Sequence, residues 1–287
     1  MIYKKRSIDS NLENKIIELY IKGCPLDEIE KITNVSKSVL VYMMNAKYDR
    51  TIDDMASFRT YGDSILIVAD THIGSHKENL GYIDEAYDMG VKKGVASCIH
   101  LGDIIQGRLT PTDKTLEYQM DTLEKMYPEP DEFETYLLLG NHDYSVFEYY
   151  PYYKELLEAK KGLHPLGYRR VYFTWNDYLF GMEHKIKQVT EEILLEDCAE
   201  YFVGHGHELK IKTVDRLKAP TLSDDIMNQN NGAYPAFMIG NICGDELYVD
   251  VYNFDGYKAV LKKENYLAKT LSKKNKVKWL NERYINC

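Results

Sequence analysis

Five short clusters hold the residues best able to do chemistry, in this order: Asp70-Thr71-His72, Gly102-Asp103, Gly140-Asn141-His142-Asp143, Glu183-His184-Lys185 and Gly204-His205-Gly206-His207. Each sets Asp, Asn or His just after an apolar, β-like run. Carboxylate, amide and imidazole donors suit a pair of divalent cations about 3.5–4 Å apart, an arrangement that activates water against a phosphate ester. Such donors favour Mn²⁺, Fe or Zn²⁺ over a thiolate-bound ion. Asp70 and His72 stand two apart after a strand, so their side chains are expected to point the same way. Asp103 ends the next strand and is the natural bridge between the ions. Asn141 adds a neutral amide oxygen, and His184, His205 and His207 complete the shells. Gly206 lets two imidazoles approach one site on a tight loop.

The elements that must position these residues are legible from residue 64 onward. Strands are predicted over residues 64–69, 97–101 and 135–139, with helices over 80–94 and 116–126 between them. Residues 170–175 and 178–182 read as a hairpin about Asn176-Asp177. A helix over 191–198 and strands over 201–203, 209–214, 237–239, 246–254 and 257–261 follow. The mixture predicts an α/β chain of the α+β type: two packed mixed β-sheets flanked by helices.

A small all-α unit precedes it. Leu12, Ile16, Ile17, Leu19 and Tyr20 form one helical stripe, and Leu26, Ile29 and Ile32 a second. Thr33-Asn34-Val35 makes the turn, since Asn tolerates the left-handed conformation. Ser36 can cap a third helix carrying Val39, Leu40, Met43 and Met44. This pattern resembles the helix-turn-helix of bacterial and phage DNA-binding proteins, which would put Ser36, Lys37, Ser38 and Tyr42 on the recognition surface. The expected organisation is residues 1–50 as this unit, 51–63 as a linker, 64–262 as the main domain and 263–287 as a basic tail.

Charge is unevenly spread. The chain has 287 residues and a net charge of −9. Residues 1–50 carry +2 and residues 258–287 carry +7, leaving −18 on the acidic body between them. That body does not suit a broad electrostatic DNA-binding face, so nucleic acid contacts are better sought at the two ends. The five cysteines, at 24, 98, 198, 243 and 287, form no Cys-x-x-Cys pair, which argues for a reducing cytoplasm over a disulfide framework. No signal core or membrane span is expected.

The series Asp-x-His, Gly-Asp, Gly-Asn-His-Asp, His, Gly-His-x-His over residues 64–262 resembles the calcineurin-like metallophosphoesterase family. The resemblance implies that Asp70, His72, Asp103 and His207 hold one metal. Asp103, Asn141, His184 and His205 would hold the other. Mn²⁺ is the expected ion, with Fe, Zn²⁺ or Ni²⁺ as alternatives. His142 would lie near the leaving group as general acid or hydrogen-bond donor, and Asp143 would fix the loop rather than bind metal. His100 is expected to pack in its strand, and His76 and His164 to be structural or at the surface.

Residues 69–74, Ala-Asp-Thr-His-Ile-Gly, and the final Gly-His-Gly-His are similar to SbcCD-type DNA repair nucleases and nuclease-like phage phosphoesterases. One departure stands out. Many family members carry a second Asp three residues after the first in the Gly-Asp motif. Here that position is Gln106, which cannot act as an anion stabilising protonated His142. Arg108, two residues on, is a candidate phosphate contact. The expected function is hydrolysis of DNA or RNA phosphodiesters in a bacterial or phage-infected cell, with a homodimer as the expected assembly. The alternatives are a small-molecule nucleotide or monoester phosphatase, and a DNA-binding regulator with a sensing or inactive phosphoesterase domain.

Overall fold

The run Ser64–Val68 is apolar almost throughout because both of its faces are covered. Ile65 and Ile67 enter a core with Ile99, Phe173, Phe180 and Met238, whereas Leu66 and Val68 join a second core with Ile83, Tyr87 and Leu123. An unbroken hydrophobic run is what a strand buried on both faces requires. In a computed structural model, the described residues are 10–21, 26–35, 40, 56–146, 150, 152–168, 170–184, 198–207, 209–210, 216–224 and 234–271.

The strands are β1 (Ala56–Thr60), β2 (Ser64–Val68), β3 (Ser97–His100), β4 (Glu134–Leu139), β5 (Leu163–Tyr168), β6 (Arg170–Trp175), β7 (Tyr178–Glu183), β8 (Glu200–Val203), β9 (Arg216–Lys218), β10 (Ala236–Cys243), β11 (Glu246–Asp255) and β12 (Lys258–Thr270). The helices are α1 (Ser10–Ile21), α2 (Leu26–Thr33), α3 (Leu80–Lys93), α4 (Leu116–Met126), α5 (Asn141–Tyr144) and α6 (Tyr153–Ala159). Among the described residues, one sheet runs β12-β11-β10-β2-β3-β4-β5 and the other β1-β6-β7-β8-β9. Strands β2 to β5 are mutually parallel, β10 to β12 form an antiparallel meander beside them, and β7 and β8 are parallel in the second sheet. The first core fills the space between the sheets. The second lies under α3, α4 and α6 on the outer face of the larger sheet. Two packed mixed sheets with flanking helices are therefore present, as the sequence predicts.

Two expectations change. Residues 56–60, expected within a linker, are strand β1. Phe58 stacks on Tyr136 at 3.8 Å and on Phe173 at 4.8 Å, so pairing with β6 and one buried ring make the strand. Residues 263–270, expected in a tail, continue β12. Tyr266 and Ala268 pack on the inner core, and the amide of Asn265 donates to Asp250 Oδ1 at 2.7 Å. Register shifts in the β11–β12 pairing break the period-two alternation that would have marked the strand. Of the strand expected over 209–214, Lys210 makes an isolated bridge to Lys218 and residues 211–214 lie outside the described residues, as does most of the helix expected over 191–198.

At the N-terminus, α1 and α2 are present, Ile16, Ile29 and Leu40 are fully buried, and Asn34 has φ 54° as the turn requires. Ser36, Lys37, Ser38 and Tyr42 lie outside the described residues. Among the described residues, no helix is long and apolar enough to cross a membrane.

Candidate metal centre

All five clusters sit where parallel strands end. Asp70 and His72 follow β2, Asp103 follows β3, Asn141 and His142 follow β4, His184 follows β7, and His205 and His207 follow β8. The carboxyl ends of parallel strands are where such sheets place ligand sites. The two sheets meet there, because the amide of His205 donates to Asp70 Oδ2 at 2.9 Å and His184 Nδ1 donates to the Leu101 carbonyl at 2.7 Å.

Among the described residues, three donor groups converge: Asp70, His72 and His207; His72, Asp103 and His142; and Asp103, His184 and His205. Within each group the donor atoms lie within 4.8 Å of one another. His72 Nε2 is 3.1 Å from His207 Nε2, His184 Nε2 is 2.9 Å from Asp103 Oδ2, and His184 Nε2 is 3.2 Å from Asn141 Oδ1. Two imidazole nitrogens facing each other at that distance, both buried, call for a shared positive centre. The first and third groups share no residue, and the middle group links them through His72 and Asp103.

The expected reason for the shared direction of Asp70 and His72 needs correction. β2 ends at Val68, and both residues have left-handed backbones, with φ 55° and 45°. Loop geometry aims them, not the strand pleat. Asp103, His205 and His207 also have positive φ. Such backbones cost about 1–3 kcal/mol each and cluster where a site over-determines them. Here a ladder between the first two loops holds them: His72 N–H donates to the Asp103 carbonyl, and Ile73 N–H to that of Ile104, each at 3.0 Å. Gly140 is needed beside them, since a Cβ there would lie 2.1 Å from Asp103 Oδ1.

Residues 64–279 match the family described as calcineurin-like phosphoesterase. The chain belongs to that family. Among solved structures, it is similar to Vps29, vacuolar protein sorting 29, of Cryptosporidium parvum, at 18% identity and TM-score 0.45, covering 72% of this chain and 98% of that one. An archaeal phosphodiesterase aligns at 19% identity and TM-score 0.44, covering 66% and 99%. The E. coli phosphoesterase Yfce aligns at 13% identity and TM-score 0.41, covering 64% and 91%. No curated protein sequence matches the chain significantly.

A calcineurin-like phosphoesterase uses a dimetal centre, and the buried Asp and His groups of this chain are of the kind that could hold one. Burial pushes the Asp103 carboxyl up, but the charge and hydrogen bond of His184, together with His72 and His142, outweigh it and hold Asp103 below the usual carboxylate range. Burial likewise pulls the His184 imidazole down, yet the Asp103 carboxylate raises it to about 9 in the metal-free chain. Burial dominates at His72 and lowers it to about 4.

Asp143 does not join the donor groups. Its carboxylate accepts from the amides of Gly140 at 2.8 Å, Asp103 at 2.9 Å, Ile104 at 3.1 Å and Ile105 at 3.3 Å, and from the Tyr153 hydroxyl at 3.0 Å. It ties the second and third loops together. Asn at this position would turn an NH₂ toward donors. Asp143→Asn is therefore expected to lower stability by about 3–5 kcal/mol in urea titrations of metal-free protein. A loss under 1 kcal/mol, on the order of a surface change, would contradict this role.

His142 is where the Gln106 departure resolves. Its Nδ1 donates to the main-chain carbonyl of Gln106 at 2.6 Å, while the Gln106 side chain turns away to Thr110. A backbone oxygen thus does the orienting that a carboxylate would do, and it leaves Nε2 as the atom able to deliver a proton. Gln106→Ala should keep kcat within about 3-fold of wild type, because the side chain takes no part. A fall of 100-fold or more in steady-state assays would be inconsistent with a purely main-chain contact.

The remaining candidates are dispersed. Arg108 lines a cavity beyond His142. His100 is buried in β3 and meets Thr71 Oγ1 at 3.3 Å, as expected of a packed residue. His76, exposed, pairs with Asp113 at 3.3 Å, and His164, half-buried, with Glu134 at 3.1 Å. Sequence reasoning missed Thr221, Tyr153 and Gln119. Thr221 Oγ1 donates to the Asp70 carbonyl at 2.8 Å, and Gln119 braces the loop that begins at Gly107. No spacing signal marks them, because each acts through hydrogen bonds to a separate segment of the chain.

Proposed function

We propose that this protein is a dimetal phosphodiesterase acting on nucleic acid, with Asp70, His72, Asp103 and His207 holding one ion and Asp103, Asn141, His184 and His205 the other. The observation that carries the reading is the overlap of three donor groups through His72 and Asp103, with a His142 ring nitrogen in the middle group. Bound cations would supply the charge that activates water and neutralises phosphoryl oxygens. The chain's residues do the rest. Asp103 spans the two groups, His184 and His142 are each held by a carbonyl on Nδ1, and His142 presents Nε2 to the leaving oxygen. Such second partners orient an imidazole and set its tautomer.

Polymer substrate is supported by features outside the centre. The α1–α2 pair with its left-handed turn is consistent with a helix-turn-helix over residues 1–50. On β12, Lys258, Lys262 and Lys263 are exposed and lie on a chain segment of opposite charge to the acidic body. A His142 oriented by a carbonyl suits a singly charged diester, which needs less added positive charge than a monoester dianion. The test is purified protein with Mn²⁺ offered single- and double-stranded DNA, RNA, bis-(p-nitrophenyl) phosphate and p-nitrophenyl phosphate. Cleavage of the polymers and the small diester is expected. Turnover of the monoester alone would sink the nuclease reading.

A further inference from the structure

A cavity of about 390 Å³ opens between the loop that follows Gly107 and the start of α4, lined by Arg108, Thr110, Thr112, Lys114, Thr115 and Glu117. We propose that it binds a second phosphate of the substrate, the one carried by the leaving fragment. The inference rests on the diesterase reading above, and it adds a subsite that the metal-binding residues do not supply.

The loop is built to hold a shape. Gln119 lies under it, buried, accepting from Gly107 N–H at 2.8 Å and donating to the Gly107 and Lys114 carbonyls, both at 3.3 Å. Thr112 Oγ1 donates to the Gly74 carbonyl at 2.6 Å, which anchors the loop to the segment just after His72. On the other side, Arg108 N–H donates to Ser145 Oγ at 3.1 Å, and that hydroxyl donates to the His142 carbonyl at 2.6 Å. The wall touches His142 itself, since a Cβ on Gly107 would lie 2.3 Å from the His142 oxygen. The cavity wall at Gly107 therefore packs on the main chain of the residue assigned to the leaving group.

Its chemistry points to an anion. Two cations, Arg108 and Lys114, face one carboxylate, Glu117, on a chain whose body is otherwise acidic. Thr115 already caps the amide of Tyr118 at 3.2 Å, so the attraction comes from the side chains and not from an open helix end. The lining has threonines but no aromatic ring, which favours a phosphate over a stacked base. A guanidinium fork matches phosphate oxygens two at a time, and an ammonium adds a point charge. The volume falls in the range of about 300–1,000 Å³ usual for small-molecule sites.

The test compares thymidine 3′,5′-bisphosphate with the two thymidine monophosphates as ligands of the Mn²⁺-loaded full chain, by calorimetry. Wild type is expected to bind the bisphosphate about 10-fold or more tighter than either monophosphate, as an added charge-assisted contact allows. That preference should vanish in Arg108→Ala/Lys114→Ala and fall in Lys114→Glu, while monophosphate binding in the same samples reports an intact metal centre. Equal affinity for all three ligands in wild type would overturn the proposal, as would a preference surviving in the double variant. These outcomes are read from binding, so they stand apart from a failure of the nuclease assay.

Discussion

Asp103→Asn protein is expected to hold fewer than two ions per chain and to lose about 10³-fold or more of its diesterase rate, roughly 4 kcal/mol of transition-state stabilisation. Asp103, like His72, belongs to two of the three donor groups, and its Oδ2 lies 2.9 Å from His184 Nε2 and 3.9 Å from His72 Nε2. Its other oxygen accepts the His142 amide at 2.8 Å. Asn has the same shape, so the fold should survive while the negative charge between the cations is lost. Elemental analysis gives the ion count, and bis-(p-nitrophenyl) phosphate gives the rate. Two retained ions with a rate within 10-fold of wild type would refute the bridging role.

The same variant has a signature without metal. The Asp103 carboxylate raises His184 to about 9 against burial, from an ordinary 6.5. A raised folded-state pKa stabilises the fold fully below pH 6.5, and the contribution is lost as pH rises through about 9. Metal-free Asp103→Asn should lack that slope in melting temperature between those limits. An unchanged slope would locate the His184 partner elsewhere.

His142→Ala should keep both ions and lose about 10²–10⁴-fold in kcat on a substrate with an alkoxide leaving group. The loss should shrink greatly for bis-(p-nitrophenyl) phosphate, because p-nitrophenolate departs without a proton. His142 is placed for this role by its Nδ1 bond to the Gln106 carbonyl and by its ring lying 4.7 Å from that of His72. A dinucleotide and the nitrophenyl diester assayed side by side decide the matter. Equal losses on both would make His142 a structural or metal-holding residue.

How much of this was legible in the sequence follows from how local each signal is. α4 appears at residues 116–126 as predicted, because its apolar spacing and the Thr115 cap are short-range features. Asn34 in the left-handed turn and the β6–β7 hairpin about Asn176-Asp177 are local in the same sense. Strand β1 was not legible, because one phenylalanine in five residues has no period. It exists because Phe58 stacks on Tyr136 across the sandwich and on Phe173 of the neighbouring strand β6. The far half of β12 was hidden by register shifts and by lysines that read as a solvated tail.

The chemistry follows the same division. By itself the sequence determined which donor types are present, their order, and their position just after apolar runs, and these already pointed to the family. Donor identity is a property of single residues, and a strand end is marked by its immediate neighbours. Only the tertiary structure decided which donors share a centre, since Asp70 meets the amide of His205 across 135 positions of chain. It also turned the missing carboxylate at Gln106 into a main-chain contact on His142, and showed that Asp143, expected to fix its own loop, ties it to the Asp103 loop as well. Those assignments depend on backbone carbonyls and amides, which every residue carries and no residue type announces.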